Sequence, residues 1–210
     1  MNDVNSNRRP IRARSSAWAQ KLASFFIKNR ISPNQISVAS VFFAAFGVML
    51  LMAYPIPAGL IGCAVAIQGR LLCNLLDGMV AIEGGRQSVL GPLFNEFPDR
   101  IADSMLIVAL GYASNLPALG WLGALSAVLT AYVRVFGGSL GLPQDFRGPM
   151  AKPQRMATMT VGCLMGALEL VLAGTVYTLG VACAVIAAGS LATCATRSWA
   201  IAQWLQGKGA

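Results

Sequence analysis

No histidine occurs anywhere in these 210 residues. That absence removes serine–histidine and cysteine–histidine nucleophiles, together with every histidine-based zinc motif. A general base must then be a carboxylate or, less readily, a lysine or cysteine. Charge is also scarce, at 11% of residues, and only eight of those residues are acidic. The five cysteines, Cys63, Cys73, Cys163, Cys183 and Cys194, are scattered through apolar sequence without metal-ligand spacing. They read as small buried hydrophobes rather than disulfide partners. What fills the chain is apolar: 56% of residues are hydrophobic. Such a composition predicts an all-α integral membrane protein rather than a soluble domain.

The net charge is +8, and its placement is informative. Seven of the 16 Lys and Arg residues precede Ile31; the rest, apart from Arg70, fall near two later connections and the C-terminus. The alternate connections, around Tyr54–Pro57, Ser114–Pro117 and Gly174–Tyr177, carry no basic residue. The positive-inside rule therefore places both termini and the basic connections in the cytoplasm. A basic surface of this kind suits anionic membrane lipids. A chain this apolar argues against nucleic acid as a partner.

Residues 1–14 are polar and Arg-rich, and read as a disordered tail. From Ser15 to Arg30 an amphipathic pattern follows, with Trp18, Leu22, Phe25 and Phe26 at helical spacing. It predicts a helix lying in the headgroup plane, the stripe acting as an anchor rather than a substrate groove. A cleavable signal peptide fits poorly, because no small-residue cleavage site follows the apolar run. Six spans are then expected, near Gln35–Ala53, Ala58–Ile82, Gly91–Ala113, Leu119–Phe136, Met156–Ala173 and Tyr177–Thr196. Each is long enough, or nearly so, for a hydrocarbon core of about 30 Å. The second exceeds that need, so its last turns should project into the cytoplasm. This divides the chain into residues 1–33, tail plus interfacial helix, and 34–210, one six-helix transmembrane domain. Small residues recur along the helices (Ala44, Ala45 and Gly47; Gly162 and Gly166; Ala187, Ala188 and Gly189), as close packing in lipid favours. Glu169 stands near the outer end of the fifth span with no role legible from sequence.

Five of the eight acidic residues (Asp77, Glu83, Glu96, Asp99 and Asp103) lie between Asn74 and Asp103. Ionisable groups at a membrane boundary are costly and mark functional sites. Asn74, Asp77 and Ala81 share one helix face, and Asn95, Asp99 and Asp103 share another. Gly84-Gly85 and Gly91-Pro92 break the helix between them and allow a reversal. Two acidic helix faces brought together by that reversal predict a divalent-cation site. An ion pair with Arg70 or Arg100 is the competing and less favoured account of Asp77 and Asp99. For Asp103, burial against Arg70 is an equal alternative.

These residues resemble the signature of the CDP-alcohol phosphatidyltransferase family, Asp-x-x-Asp-Gly-x-x-Ala-Arg, about eight residues, then Gly-x-x-x-Asp-x-x-x-Asp. Here it stands as Asn74-x-x-Asp77-Gly78-x-x-Ala81 and Gly91-x-x-x-Asn95-x-x-x-Asp99. The amphipathic helix, Ser32-Pro33-Asn34 at the start of the first span and the six-span length also look like this family. The resemblance implies transfer of a phosphatidyl group from a CDP-linked lipid such as CDP-diacylglycerol to an alcohol, with release of CMP, in phospholipid biosynthesis. It implies Mg²⁺ or Mn²⁺ held at the Asn74, Asp77, Asn95 and Asp99 positions, Asp99 as the base with Asp77 beside it, and a homodimer. Gly78, Ala81 and Gly91 would border the CDP donor. Two of the four carboxylate positions are amides, however, and Ile82 replaces the motif arginine. An amide oxygen ligates without formal charge, so weaker or single-metal binding is expected. Glu96 and Asp103 are the carboxylates nearest to compensate, although Glu96 points about 100° from Asn95 and Asp103 lies about 6 Å deeper. Arg86 would replace the missing arginine if the turn folds back.

Arg134, Arg147, Lys152 and Arg155 form a second constellation, with Lys152 and Arg155 three apart at the start of the fifth span. The resemblance adds that, in relatives using phosphorylated acceptors, similar basic pairs at this place hold the acceptor's phosphate. The expected acceptor is therefore a small polar, phosphorylated alcohol, of glycerol 3-phosphate or inositol phosphate type. Positive-inside loop charge accounts for the same residues equally well. A catalytically lapsed, nucleotide-lipid-binding or scaffolding relative and a prenyl-diphosphate-using transferase are the alternative functions. A transporter lacks the broken-helix pair or inverted repeat it would need.

Overall fold

The computed structural model describes residues 16–53 and 56–208, and its regular structure is helical throughout. Among the described residues seven helices follow one another: α1 Ala17–Lys28, α2 Pro33–Ala53, α3 Pro57–Glu83, α4 Gly91–Ala113, α5 Pro117–Ser139, α6 Lys152–Ala173 and α7 Tyr177–Lys208. Proline opens α2, α3 and α5 and follows the first residue of α6. At those positions its missing N–H breaks no helical bond. α2, α3, α5, α6 and α7 are long and apolar enough to cross a membrane. α4 has the length as well, but Glu96, Asp99, Arg100 and Asp103 fall between its second turn and its middle. The protein is an all-α integral membrane protein. The expected disordered tail and the outer turn at Tyr54 and Pro55 lie outside the described residues.

Two boundaries differ from the sequence expectation. The last helix does not stop at Thr196 but runs on to Lys208. Residues 197–208 contain no proline, and Ile201 is buried, so the polar residues there interrupt the hydropathy without breaking the helix. The connection after α5 is also shorter than its Gly and Pro content suggests, because α5 reaches Ser139 and α6 starts at Lys152.

The chain forms two compact units, Leu106 ending the first and Ile107 beginning the second. In the first, α1 and α2 both pack on α3. Ala19 and Ala23 of α1 join Ile36, Cys73, Leu76, Met79 and Val80 in a buried cluster, with Leu22, Phe26 and Ile27 against it. The expected aromatic stripe therefore divides: Leu22 and Phe26 turn to the core, while Trp18 and Phe25 stay exposed. Ser32 and Gln35 form a reciprocal capping box at the start of α2. The Ser32 N–H donates to Gln35 Oε1 at 2.9 Å and the Gln35 N–H to Ser32 Oγ at 3.2 Å. α3 ends in a Schellman turn with Gly85 at φ +61°, where Arg86 N–H returns to the Ala81 carbonyl at 3.1 Å.

In the second unit α5 and α6 pack on α7. Glycines set the closest approaches: a Cβ on Gly111 would fall 2.5 Å from Gly120 Cα, and one on Gly162 2.6 Å from Ala182 Cβ. Glu169, unassigned from sequence, closes the α6–α7 turn. Its carboxylate accepts hydrogen bonds from Thr175 Oγ1 at 2.5 Å, from the N–H groups of Tyr177 and Thr178 at 2.8 Å each, and from the Thr178 hydroxyl. A carboxylate on the first N–H groups of α7 is a helix cap, a structural role.

Candidate functional site

The reversal at Gly84-Gly85 returns the chain so that the polar face of α3 meets that of α4. Asn74 Nδ2 donates to Asp99 Oδ1 at 2.9 Å. Asp77, one turn along α3, accepts from Ser37 Oγ of α2 at 2.7 Å. Arg70, one turn before Asn74 and fully buried, places Nη2 2.6 Å from Asp103 Oδ1 and 3.3 Å from Asp99 Oδ1. The same nitrogen lies 3.3 Å from the Asp99 carbonyl. Asp77, Asp99 and Asp103 are all buried, whereas Asn95 is exposed. Pro98 has no N–H to donate, so the Phe94 carbonyl loses its helical partner in the turn that bears Asn95 and Asp99.

This geometry decides between the accounts left open by the sequence. Asp103 pairs with Arg70. Asp99 shares that guanidinium, against the expectation that an ion pair there was the less favoured arrangement. The reason is spacing: Asp99 and Asp103 are one turn apart, so one guanidinium nitrogen reaches both. Arg100 turns instead to Glu96, 3.4 Å away on its own helix. Neither Glu96 nor Asp103 is therefore spare to replace the two missing carboxylates.

Among the described residues no three of His, Cys, Asp and Glu converge as metal ligands, which follows from amides standing at positions 74 and 95. The donor set remains one of hard oxygens, namely two carboxylates and two amide carbonyls, a chemistry that suits Mg²⁺ or Mn²⁺. Gly91 borders open space, since a Cβ there would meet only Ser88 Oγ, at 3.8 Å. Gly78 and Ala81 lie on the half-buried face of α3, and Arg86 is half-buried beyond its end. Asn34 Nδ2 reaches Ser88 Oγ at 3.4 Å and fastens this turn to the start of α2.

The second unit collects the basic side chains. Arg155, at 1% exposure, donates from Nη1 to the Met150 carbonyl at 2.8 Å and to Thr130 Oγ1 at 3.4 Å. Arg197 of α7 is nearly as buried and donates to the carbonyls of Arg147 at 2.9 Å and Thr130 at 2.7 Å. Its guanidinium lies within electrostatic reach of Arg134, Arg155 and Asp145. Arg134 stacks over the Phe146 ring at 5.5 Å, and Lys152 is half-buried at the start of α6. Arg147 is exposed and chelates Asp145, at 3.0 and 3.1 Å. Burial pushes the Asp145 carboxyl upward, but hydrogen bonds from Arg147 and the charges of Arg147 and Arg197 outweigh it and hold it below its ordinary range. Sequence reasoning missed Arg197 by ending the last span before it. Helical spacing continued through Ile201 and Leu205 would have found it.

Both units thus belong to a membrane-embedded helical protein whose polar groups are concentrated at acid-rich and base-rich clusters. No protein-family model matches the chain. It is 30% identical over 173 residues to the archaetidylinositol phosphate synthase of Aeropyrum pernix, covering 82% of each. To the bifunctional IPC transferase and DIPP synthase of Rubrobacter xylanophilus it is 33% identical over 143 residues. That match takes in 65% of this chain and 32% of the relative, so the chain spans about a third of that protein's length. Its fold is similar to that of the Mycobacterium tuberculosis phosphatidylinositol phosphate synthase. With CDP-DAG bound, that structure gives a TM-score of 0.72 at 18% identity, covering 89% of this chain and 94% of the other. The same enzyme in complex with manganese and citrate also gives 0.72, at 19% identity over 87% of this chain and 88% of that one. The chain belongs to the CDP-alcohol phosphatidyltransferase family.

Proposed function

We propose that this protein transfers a phosphatidyl group from a CDP-linked lipid to the hydroxyl of a small phosphorylated alcohol and releases CMP. The observation that carries the reading is the Asn74–Asp99 hydrogen bond, which ties the two motif faces into one polar cluster. The relatives' names favour an acceptor of inositol phosphate type over glycerol 3-phosphate. Asp77, Asp99, Asn74 and Asn95 would hold Mg²⁺ or Mn²⁺, in keeping with the manganese complex of the structural relative. A divalent ion there offsets the donor's diphosphate charge, which otherwise repels a nucleophile.

The residues of the chain supply the rest. Gly78, Ala81 and Gly91 leave room for the nucleotide, and Arg86 offers its charge to the diphosphate. Arg134, Lys152 and Arg155, with Arg197, take the acceptor's phosphate; Arg147 contributes once released from Asp145. Asp99 accepts the proton of the attacking hydroxyl. The new phosphorus–oxygen bond forms to the acceptor, and the bond to CMP breaks with its electron pair going to CMP. In this reading α4 is the third of six spans and α1 lies in the headgroup plane. Residues 1–33 form tail and anchor, and 34–210 the catalytic domain of a homodimer, with site and termini cytoplasmic.

A second reading is a lapsed relative that binds nucleotide-lipid without turnover. It is favoured by the amides at positions 74 and 95 and by the grip of Arg70 on Asp99. Incubation of the purified chain with labelled CDP-diacylglycerol and a panel of acceptors separates the two. Transfer predicts CMP release that requires Mg²⁺ or Mn²⁺ and disappears in Asp99→Asn. Donor binding without any CMP favours the lapsed relative.

A further inference from the structure

We propose that the Asp145 carboxylate is the resident anion of the base-rich cluster, seated where the acceptor's phosphate binds. It is then a specificity-determining residue, because an acceptor must bring an anion strong enough to displace it. The inference rests on the reading above in which that cluster takes the acceptor's phosphate.

The first argument is placement. Between Ile107 and Ala210 the sequence holds two acidic side chains, Asp145 and Glu169, against six basic ones. Glu169 caps α7. Asp145 instead stands in the connection between α5 and α6, two residues before Arg147. Its charge lies within reach of Arg197, whose own surroundings include Arg134 and Arg155. Exposure points the same way. The Asp145 side chain is 20% exposed and that of Arg147 71%, so the anion is turned inward and the cation outward. An ordinary surface pair leaves both members in water.

The second argument is geometry. Arg147 Nε and Nη2 donate to the two Asp145 oxygens at 3.0 and 3.1 Å, and the Arg147 backbone N–H adds a bond to Oδ1 at 2.9 Å. A guanidinium fork beside a backbone N–H is a donor set that also receives phosphate oxygens. Arg197 donates to the Arg147 carbonyl at 2.9 Å, so the receiving main chain is anchored to α7. A phosphate dianion carries more charge and more acceptor oxygens than a carboxylate, and takes over the fork; a neutral hydroxyl does not. Asp145 therefore weakens the hold on any phosphate but keeps weaker ligands off Arg147.

Calorimetric titration of the full-length protein in detergent with inorganic phosphate tests this. Asp145→Asn should bind phosphate about tenfold more tightly than the unaltered protein, the size of one charge-assisted contact no longer contested. If that variant does not fold, Asp145→Ser reads the same gain. In an Arg147→Gln background the gain should shrink to about twofold or less, because the contested fork is gone. A change under threefold on the unaltered background, or weaker binding, overturns the inference and leaves the transferase reading intact. So does a full gain that persists with Arg147→Gln, which would mark a general charge effect. No phosphate binding by any of these chains overturns the inference together with the acceptor-phosphate assignment.

Discussion

The first unit buries mainly carboxylates and the second guanidiniums, and the two satisfy them by different means. In the first, the buried guanidinium of Arg70 lies against two carboxylates, with a third, Asp77, on the same helix face as Arg70. In the second, the buried guanidiniums of Arg155 and Arg197 are tied to backbone carbonyls at Met150, Thr130 and Arg147. A carbonyl orients a guanidinium without cancelling its formal charge, whereas a carboxylate does both. The first cluster is acid-rich, the second base-rich. The solvent cost of burying charge is common to both. The difference lies in which sign of side chain each cluster gathers, and in the proposed reading that sign selects the ligand.

The largest test of this contrast falls on the acid-rich cluster. Asp77→Asn should lower CMP release by about a hundredfold or more, since it removes a charge acting directly on the ion. The measurement is initial rate at saturating CDP-diacylglycerol, and a loss under threefold would break the assignment of Asp77. Next in size is stability. Arg70→Met alone strands two carboxylates and should cost about 3–5 kcal/mol, while Arg70→Met with Asp103→Leu should recover much of that. Thermal unfolding in detergent reads the difference, and equal losses would reject the pair.

On the base-rich side, Arg134→Gln should raise the KM for a phosphorylated acceptor about tenfold and leave donor affinity unchanged. An equal change for a neutral alcohol would show that its charge does not act on the phosphate. Smaller effects belong to groups with structural roles. Glu169→Gln should lower the unfolding temperature by weakening the cap on α7, with turnover retained. Asp145→Asn should disturb stability least, because its partner Arg147 is exposed. Its lowered carboxyl pKa means that its contribution is present at neutral pH and fades as the pH falls below its ordinary value of 3.8. Asp145→Asn should erase that acid-side loss without altering neutral stability much.

Much of the fold was legible in the chain because a membrane imposes simple rules. Long apolar runs separated by Pro and Gly located the helices, and α4 was bounded correctly from Gly91 to Ala113 despite its charges. α7 was misjudged because hydropathy reports what lipid tolerates, while a helix continues wherever its backbone bonds do. The meeting of the α3 and α4 polar faces was likewise visible, since three- and four-residue spacing and two glycine breaks allow few other arrangements; that Asn74 is hydrogen-bonded to Asp99 was not.

The sequence by itself determined the membrane class, the helix periodicity, the family motif and its two amide substitutions, since each follows from residue type and spacing along one chain. Only the tertiary structure decided which partner each charge takes. Arg70 chose Asp103 and Asp99, Arg100 chose Glu96, Arg147 chose Asp145, and Arg197 joined the basic group from a helix thought to have ended. Side-chain reach across helices depends on packing distance and rotation, which no one-dimensional spacing contains.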